Sequence, residues 1–236
     1  MSTLNVNTVE PAGATLTIGA SGDTVKANDS VNVNTVKDAG GNTLWVSDGS
    51  GNLSSVNSGF GDALKLITTN TQTDVASFEF TSGIDSTYKE YIFKFINIHP
   101  ETNDKPFGFQ VDTGGGYGVA ITDTAFEAQH GEGGAGAALN YASWQDAAQS
   151  TGHIVLASAL GSGNDESASG EFHLFNPAST TYVKNFYATF QSYYENDYSR
   201  NAFTAGYVNT TSAVTGIKFY MEAGNLNGTI KMYGVS

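Results

Sequence analysis

The chain has 236 residues, of which 39% are hydrophobic and 12% aromatic, with 28 Gly, 4 Pro and no Cys. That length allows one large domain plus an extension, with a core rich in Phe and Tyr, side chains that suit pleated surfaces. A net charge of −13, from 23 acidic and 10 basic side chains, argues against partners that need Lys and Arg, namely a nucleic-acid backbone or an anionic membrane surface. The lack of Cys excludes disulfides, thiolate chemistry and Cys-containing zinc sites. Met1-Ser2-Thr3-Leu4-Asn5-Val6-Asn7 has neither a basic region nor an apolar run, so no export signal is expected. No stretch approaches the roughly 20 apolar residues of a membrane-spanning helix.

The first sixty residues hold an imperfect repeat. Leu4-Asn5-Val6-Asn7-Thr8-Val9 recurs as Val31-Asn32-Val33-Asn34-Thr35-Val36, and Thr15-Leu16-Thr17-Ile18 recurs as Thr43-Leu44-Trp45-Val46. A Gly/Ser/Asp turn follows each copy, at residues 19–23 and 47–52. Each copy reads as two short strands with alternating apolar positions. So small a hairpin cannot bury its apolar face alone. Copies of the same chain wrapped about a common axis would supply the missing surface; the same Asn/Thr/Gly-rich composition also fits a flexible tail. Leu4, Val6, Val9, Val31, Val33, Val36, Leu44 and Trp45 are the candidate anchoring and oligomerisation side chains.

Residues 54–62 read as a linker, which sets the expected domains at 1–60 and 61–236. Beyond it the strands become longer and more aromatic. They are expected at residues 64–67, 76–80, 88–98, 107–111, 153–157, 170–175, 182–194, 202–208, 217–222 and 229–235. In the strongest, Ile92, Lys94, Ile96 and Ile98 should face one way and Tyr91, Phe93, Phe95 and Asn97 the other. Both faces are largely apolar, as in a central strand. Residues 131–150 are Ala/Gly-rich and read as a long loop, or a loop with one short helix. The expected fold class is all-β: a short repetitive N-terminal segment followed by an antiparallel, jelly-roll-like β-sandwich.

Tyr88-Lys89-Glu90-Tyr91-Ile92-Phe93-Lys94-Phe95 and the ending from Ile217-Lys218-Phe219-Tyr220-Met221 to Lys231-Met232-Tyr233-Gly234-Val235 carry a resemblance. Residues 63–236 resemble a β-sandwich module at the ends of bacteriophage tail-fibre and similar virion proteins, of marine phage type. The N-terminal Leu-Asn-Val-Asn-Thr-Val and Gly-Asn-Leu-Ser pieces look like fibre-shaft and anchoring segments. The resemblance implies attachment to the particle through the N-terminus and an outward C-terminal head, usually as a homotrimer. It implies a virion location, synthesis in the host cytoplasm, and other tail or capsid proteins as partners. These motifs are structural and carry no chemistry.

A search for chemistry yields no catalytic residue, cofactor site or metal site. His99, His130, His153 and His173 have no Gly-x-Ser-x-Gly elbow beside them, and His173 alternates with Phe172 and Leu174 as a sheet residue would. Gly114-Gly115-Gly116 is followed by Tyr117, not by a helix, and reads as a loop. Asp48-Gly49-Ser50-Gly51-Asn52 lacks the distal Glu of a Ca²⁺ loop and reads as a plain turn. The acidic surface leaves room for Ca²⁺, but no residue set singles itself out. The carboxylates at Asp165/Glu166 and Glu195/Asp197 sit in turns, where solvation is the default.

One cluster suits sugar recognition, in which a ring covers the apolar sugar face and polar groups hold its hydroxyls. It comprises Tyr193, Tyr194, Asp197, Tyr198 and Arg200, with Tyr141 and Trp144 from the Ala/Gly-rich loop. The same rings would serve equally in a core or a subunit interface. The expected function is therefore a non-enzymatic phage fibre or spike subunit whose head contacts a host surface glycan. The competing readings are a capsid decoration protein or head fibre, and a glycan depolymerase.

Overall fold

In the computed structural model, residues 32–56 and 63–235 are described. The chain divides into two compact units, residues 1–60 and 61–236. Among the described residues every regular element is a β-strand, and all pairings between strands are antiparallel.

The described part of the first unit is a three-stranded meander of β1 (Thr35–Lys37), β2 (Thr43–Ser47) and β3 (Leu53–Val56). Its two turns share the pattern Asp-x-x-Gly-Asn, at residues 38–42 and 48–52. In each, one carboxylate oxygen accepts the backbone N–H of the Asn, at 2.8 and 3.1 Å, and the other accepts its side-chain amide. These bonds, first those from the Asn amides, hold Asp38 and Asp48 below the usual carboxylate range. The Gly before each Asn takes the left-handed backbone that the turn requires, φ 84° at Gly41 and 90° at Gly51. Leu44, Trp45 and Val36 are half-buried and Val33 is exposed. Leu4, Val6, Val9 and Val31 lie outside the described residues. Ser54–Val56, read from the sequence as the start of a linker, belong to β3.

The second unit has twelve strands: β4 (Leu64–Val75), β5 (Phe78–Phe80), β6 (Glu90–Pro100), β7 (Lys105–Asp112), β8 (Ile121–Gly131), β9 (Ala138–Tyr141), β10 (Ile154–Leu160), β11 (Ala168–Phe175), β12 (Lys184–Tyr194), β13 (Tyr198–Val208), β14 (Gly216–Met221) and β15 (Leu226–Val235). They form a wide layer, β4-β15-β6-β11-β12-β13-β8-β9, faced by a narrow one, β10-β7-β14-β5. The layers join at a single pair, Leu160 opposite Tyr194. The β-sandwich expected from alternation and turn spacing is therefore what the chain forms.

The core between the layers is built on Phe. Phe219 of β14 lies within 4.8–6.4 Å, centroid to centroid, of Phe80, Phe93, Phe95, Phe107, Phe109 and Phe172. Most of these contacts are edge-to-face or tilted, the geometry that ring quadrupoles favour. On the opposite, uncovered face of the wide layer, Phe126, Phe203, Tyr187 and His173 stack in a row across β8, β13, β12 and β11. His173 is buried in that row, with Nδ1 2.6 Å from Glu90.

Two sequence expectations change. Ile98 does not share a face with Ile92, Lys94 and Ile96. Asn97 takes φ 52° and the ladders to β11 and β15 slip there, so a bulge returns Ile98 to the core beside Phe95 and leaves Ile96 exposed. Residues 131–150 contain β9 and no helix, and β8 precedes them as an eleven-residue strand that the expected set omits. β4 runs eight residues past its expected end, to Val75, and elsewhere strand ends move by up to four residues.

Phe219→Ala should cost about 4 kcal/mol, because six rings lose their common neighbour and cannot collapse onto the gap. Phe203→Ala, on the uncovered face, should cost about 1 kcal/mol. Urea unfolding of both variants with unchanged slopes is the check. Equal losses would mean that the packing is not centred on Phe219.

Candidate functional site

The narrow layer ends at β10, but the wide layer continues beneath and beyond it as β13, β8 and β9. The residues turned toward the interior change character at that border. On β12 they are Phe186, Ala188 and Phe190; directly opposite on β13 they are Gly206, Thr204 and Ala202; next on β8 they are Asp123, Ala125 and Glu127. Strict alternation along β8 places Ile121, Asp123, Ala125 and Glu127 on the buried side. Gly206 makes room for the first carboxylate: a Cβ there would lie 2.7 Å from the Asp123 Cα.

Residues 142–150 cover this overhang in place of a strand. The segment is bonded along β8. Ala142 N–H donates to Ala125 O (2.9 Å), Ser150 and Ile121 exchange two backbone bonds, and Asp123 N–H donates to Ala147 O (3.0 Å). Side chains add to this. Asp123 Oδ1 accepts the Ala147 N–H at 2.5 Å, Asp146 Oδ1 accepts the Ala125 N–H at 3.2 Å, and the Tyr141 hydroxyl donates to Asp146 Oδ2. Gln149 bonds Thr122 Oγ1 through both its backbone and its side-chain nitrogen. The turn at Ala142–Gln145 projects Trp144, which is 61% exposed.

Beneath the segment lies a buried polar cluster. Arg200 Nη1 is 3.4 Å from Glu127 Oε1 and donates to Ser158 Oγ at 2.7 Å, and Nη2 donates to Gln129 Oε1 at 2.7 Å. The guanidinium lies flat over the Tyr194 ring, 3.6 Å from its centroid. Glu127 Oε2 accepts from Ser158 Oγ (3.3 Å) and Gln145 Nε2 (3.2 Å). Such a pair survives burial because nearly every donor and lone pair is engaged. Among the described residues of this region, Gln145 Oε1, Arg200 Nε and Asp123 Oδ2 are buried without a partner. Burial, and secondarily the nearby Asp146 charge, lift the Asp123 carboxyl to about 6, against the pull of its bond from Ala147 N–H.

Trp144, Gln145, Asp146, Tyr194, Arg200 and Glu127 line an open cleft of about 620 Å³. Asp104, Glu222 and His153 complete its wall. Burial lowers the His153 pKa, and its Nε2 is 3.2 Å from Tyr220 O, so the ring is neutral near pH 7.

Of the residues singled out in the sequence for sugar contact, the fold brings Trp144, Tyr194 and Arg200 to this cleft. Tyr141 stands beside it, tied to Asp146. Tyr193 follows the opposite parity on β12. It lies in a separate depression with Glu132, donates to Asp197 Oδ1 at 3.2 Å, and has its pKa pushed up to about 12 by desolvation and by the charges of Asp197 and Glu132. Tyr198 packs on Gly131 and Gly136, where a Cβ would meet its ring at 3.3 and 2.5 Å, and it serves the hairpin rather than the cleft. Sequence reasoning missed Asp123, Glu127, Gln145, Asp146 and Ser158. The available signal was the alternation Ile121-x-Asp123-x-Ala125-x-Glu127, which reads as a half-buried strand only if the carboxylates are allowed inside. Among the described residues no three His, Asp or Glu side chains converge as metal ligands would.

Compared with known proteins, the chain matches no family model, no curated protein and no solved structure.

Asp123 titrates at 3.8 when unfolded and near 6 when folded, so between those values the folded state keeps a proton that the unfolded chain releases. Its contribution to stability therefore falls as pH rises through that window. The stability of the protein relative to Asp123→Asn should drop by about 1–2 kcal/mol from pH ~4 to pH ~7, after allowance for solvent screening. Urea titrations across that range test this, and a difference curve that is flat or rises would show a carboxyl that is not desolvated.

Proposed function

We propose that the chain is a non-enzymatic structural subunit of a bacteriophage particle, a short tail fibre or spike, whose head holds a host-surface glycan in the Trp144–Arg200 cleft. One observation carries the binding reading. The cleft joins an exposed indole to two unpartnered polar atoms among its buried lining groups, the acceptor Gln145 Oε1 and the donor Arg200 Nε–H. A sugar presents an apolar ring face for the first, and hydroxyls that both donate and accept for the other two. The lining is preorganised, since residues 142–150 are bonded to β8 and Arg200 is fixed on Tyr194. Little ordering cost remains for a ligand to meet.

The state of the carboxyls supports binding without catalysis. Glu127 is occupied by Arg200, Ser158 and Gln145, and Asp123, whose pKa is raised, lies behind the Ala147 backbone and does not line the cleft. Neither has the freedom that a glycosidase acid and its partner require. The placement on a phage particle rests on the resemblance of residues 63–236 to fibre heads and of the N-terminal repeats to shaft segments. Three copies would multiply weak contacts through avidity.

Full-length protein, sized by light scattering and passed over immobilised bacterial surface polysaccharides, is expected to run as a trimer and to retain at least one of them. Trp144→Ala should weaken that retention at least about tenfold, the equivalent of about 1.4 kcal/mol. A monomer would remove the self-assembling fibre. Retention unchanged by Trp144→Ala would remove the cleft as the binding site.

A further inference from the structure

The cleft is lopsided in charge. Among the described residues, Asp104, Glu127, Asp146 and Glu222 border it, and Arg200 is the only Lys or Arg that does. Arg200 is already matched by Glu127, its terminal nitrogens also donate to Ser158 and Gln129, and its guanidinium carbon lies over the Tyr194 ring. Nε–H and one Nη2–H are left for hydroxyl oxygens, and because Glu127 balances the guanidinium charge, the group adds no net attraction for an anion. Among the described residues, Asp104, Asp146 and Glu222 have no Lys, Arg or His within salt-bridge distance. A second, independent observation points the same way. Gln145 is 4% exposed and lines the cleft; its amide nitrogen is tied to Glu127 and its Oε1 has no donor. The lining thus offers an unmatched buried acceptor and an excess of negative charge.

We propose that this cleft selects a glycan bearing free amino groups and rejects uronic-acid polymers. The proposal rests on the reading that the cleft binds sugar, and it names the class of sugar. A protonated amine brings three donors, no acceptor and a positive charge, which the acidic wall and Gln145 Oε1 complement. The exposed Trp144 face receives the cation and the apolar face of the ring together. Each additional carboxylate on a ligand would meet the carboxylates of Asp104, Asp146 and Glu222, none of them paired with a cation among the described residues, a like-charge juxtaposition that disfavours it.

The test is calorimetric titration of the full-length protein with glucosamine oligomers, N-acetylglucosamine oligomers of equal length and galacturonate oligomers, at a mildly acidic pH that protonates the amines. The chain carries a net charge of −13 and attracts any polycation, so the decisive comparison is with Asp104→Asn and Glu222→Gln. Neither of these side chains makes a hydrogen bond or ion pair within the described chain, so both variants should fold. The expected result is glucosamine binding at least about tenfold tighter than that of the acetylated oligomers, no galacturonate binding, and a loss of about threefold to tenfold in each variant, with salt sensitivity. Equal or tighter galacturonate binding, or glucosamine binding indifferent to both variants, overturns the charge inference. Acetylated oligomers binding as tightly as glucosamine, and losing affinity in Trp144→Ala, would leave the glycan reading standing and remove the inference. If no sugar binds, or only an oligolysine peptide does so in a Trp144-dependent way, both fall.

Discussion

The two layers of the sandwich differ in width, and the rest of the second unit follows from that mismatch. Four strands cannot cover eight. Phe-rich packing is therefore confined to the stretch from β15 to β12, where strands face one another from both sides. At one end β4 projects, and its side chains are mostly exposed. At the other end β13, β8 and β9 run on past the border of the narrow layer, and their inward face must be closed by something other than a strand. Residues 142–150 do this, and they can do so because β8 supplies both backbone and carboxylate partners along their length.

That closure explains why the interior turns polar where it does. A strand laid over β8 would bury apolar side chains against apolar side chains. A loop-like segment brings backbone groups that need partners, and buried backbone groups without partners are costly. Asp123 and Asp146 each accept one backbone N–H across the junction, and Gln145 and Glu127 join the two sides through side chains. The Glu127–Arg200 pair sits at the centre of this arrangement, its desolvation offset by Ser158, Gln129, Gln145 and the Tyr194 face. The cleft is the remainder of the same geometry, the space where the segment and the edge of β10 do not meet. Two of its acidic wall residues, Glu127 and Asp146, belong to the bonds between the segment and β8.

Much of the fold was legible in the sequence, because the covered strands alternate apolar residues with period two and end at Gly, Asn and Asp turns. β12 and β14 follow that rule. β8 does not, since two of its five buried positions are Asp and Glu, and a hydrophobic pattern cannot flag a strand whose interior is polar. Ile98 escaped for a different reason: a single bulge at Asn97 inverts the alternation, and nothing in the residue types announces it. The site was half legible. Aromatic residues beside Arg marked Trp144, Tyr194 and Arg200, whereas parity along β12 sent Tyr193 to the other side of the hairpin and packing against Gly131 and Gly136 gave Tyr198 a structural task. Asp123, Glu127 and Gln145 become meaningful only through their partners on other strands, which the linear sequence does not order.

The account depends on residues 142–150 being a fixed wall and not a loop resting on the surface. Native-state amide hydrogen exchange of the full-length protein measures this most directly. The N–H groups of Ile121, Asp123, Ala125, Ala142, Ala147 and Ser150, all bonded across the junction, should exchange on the slow scale of the β12–β13 ladder, with Trp144 exchanging fast between them. Fast exchange of Ala142, Ala147 and Ser150 against a slow β13 would contradict the account, since the cleft would then lack a preorganised wall.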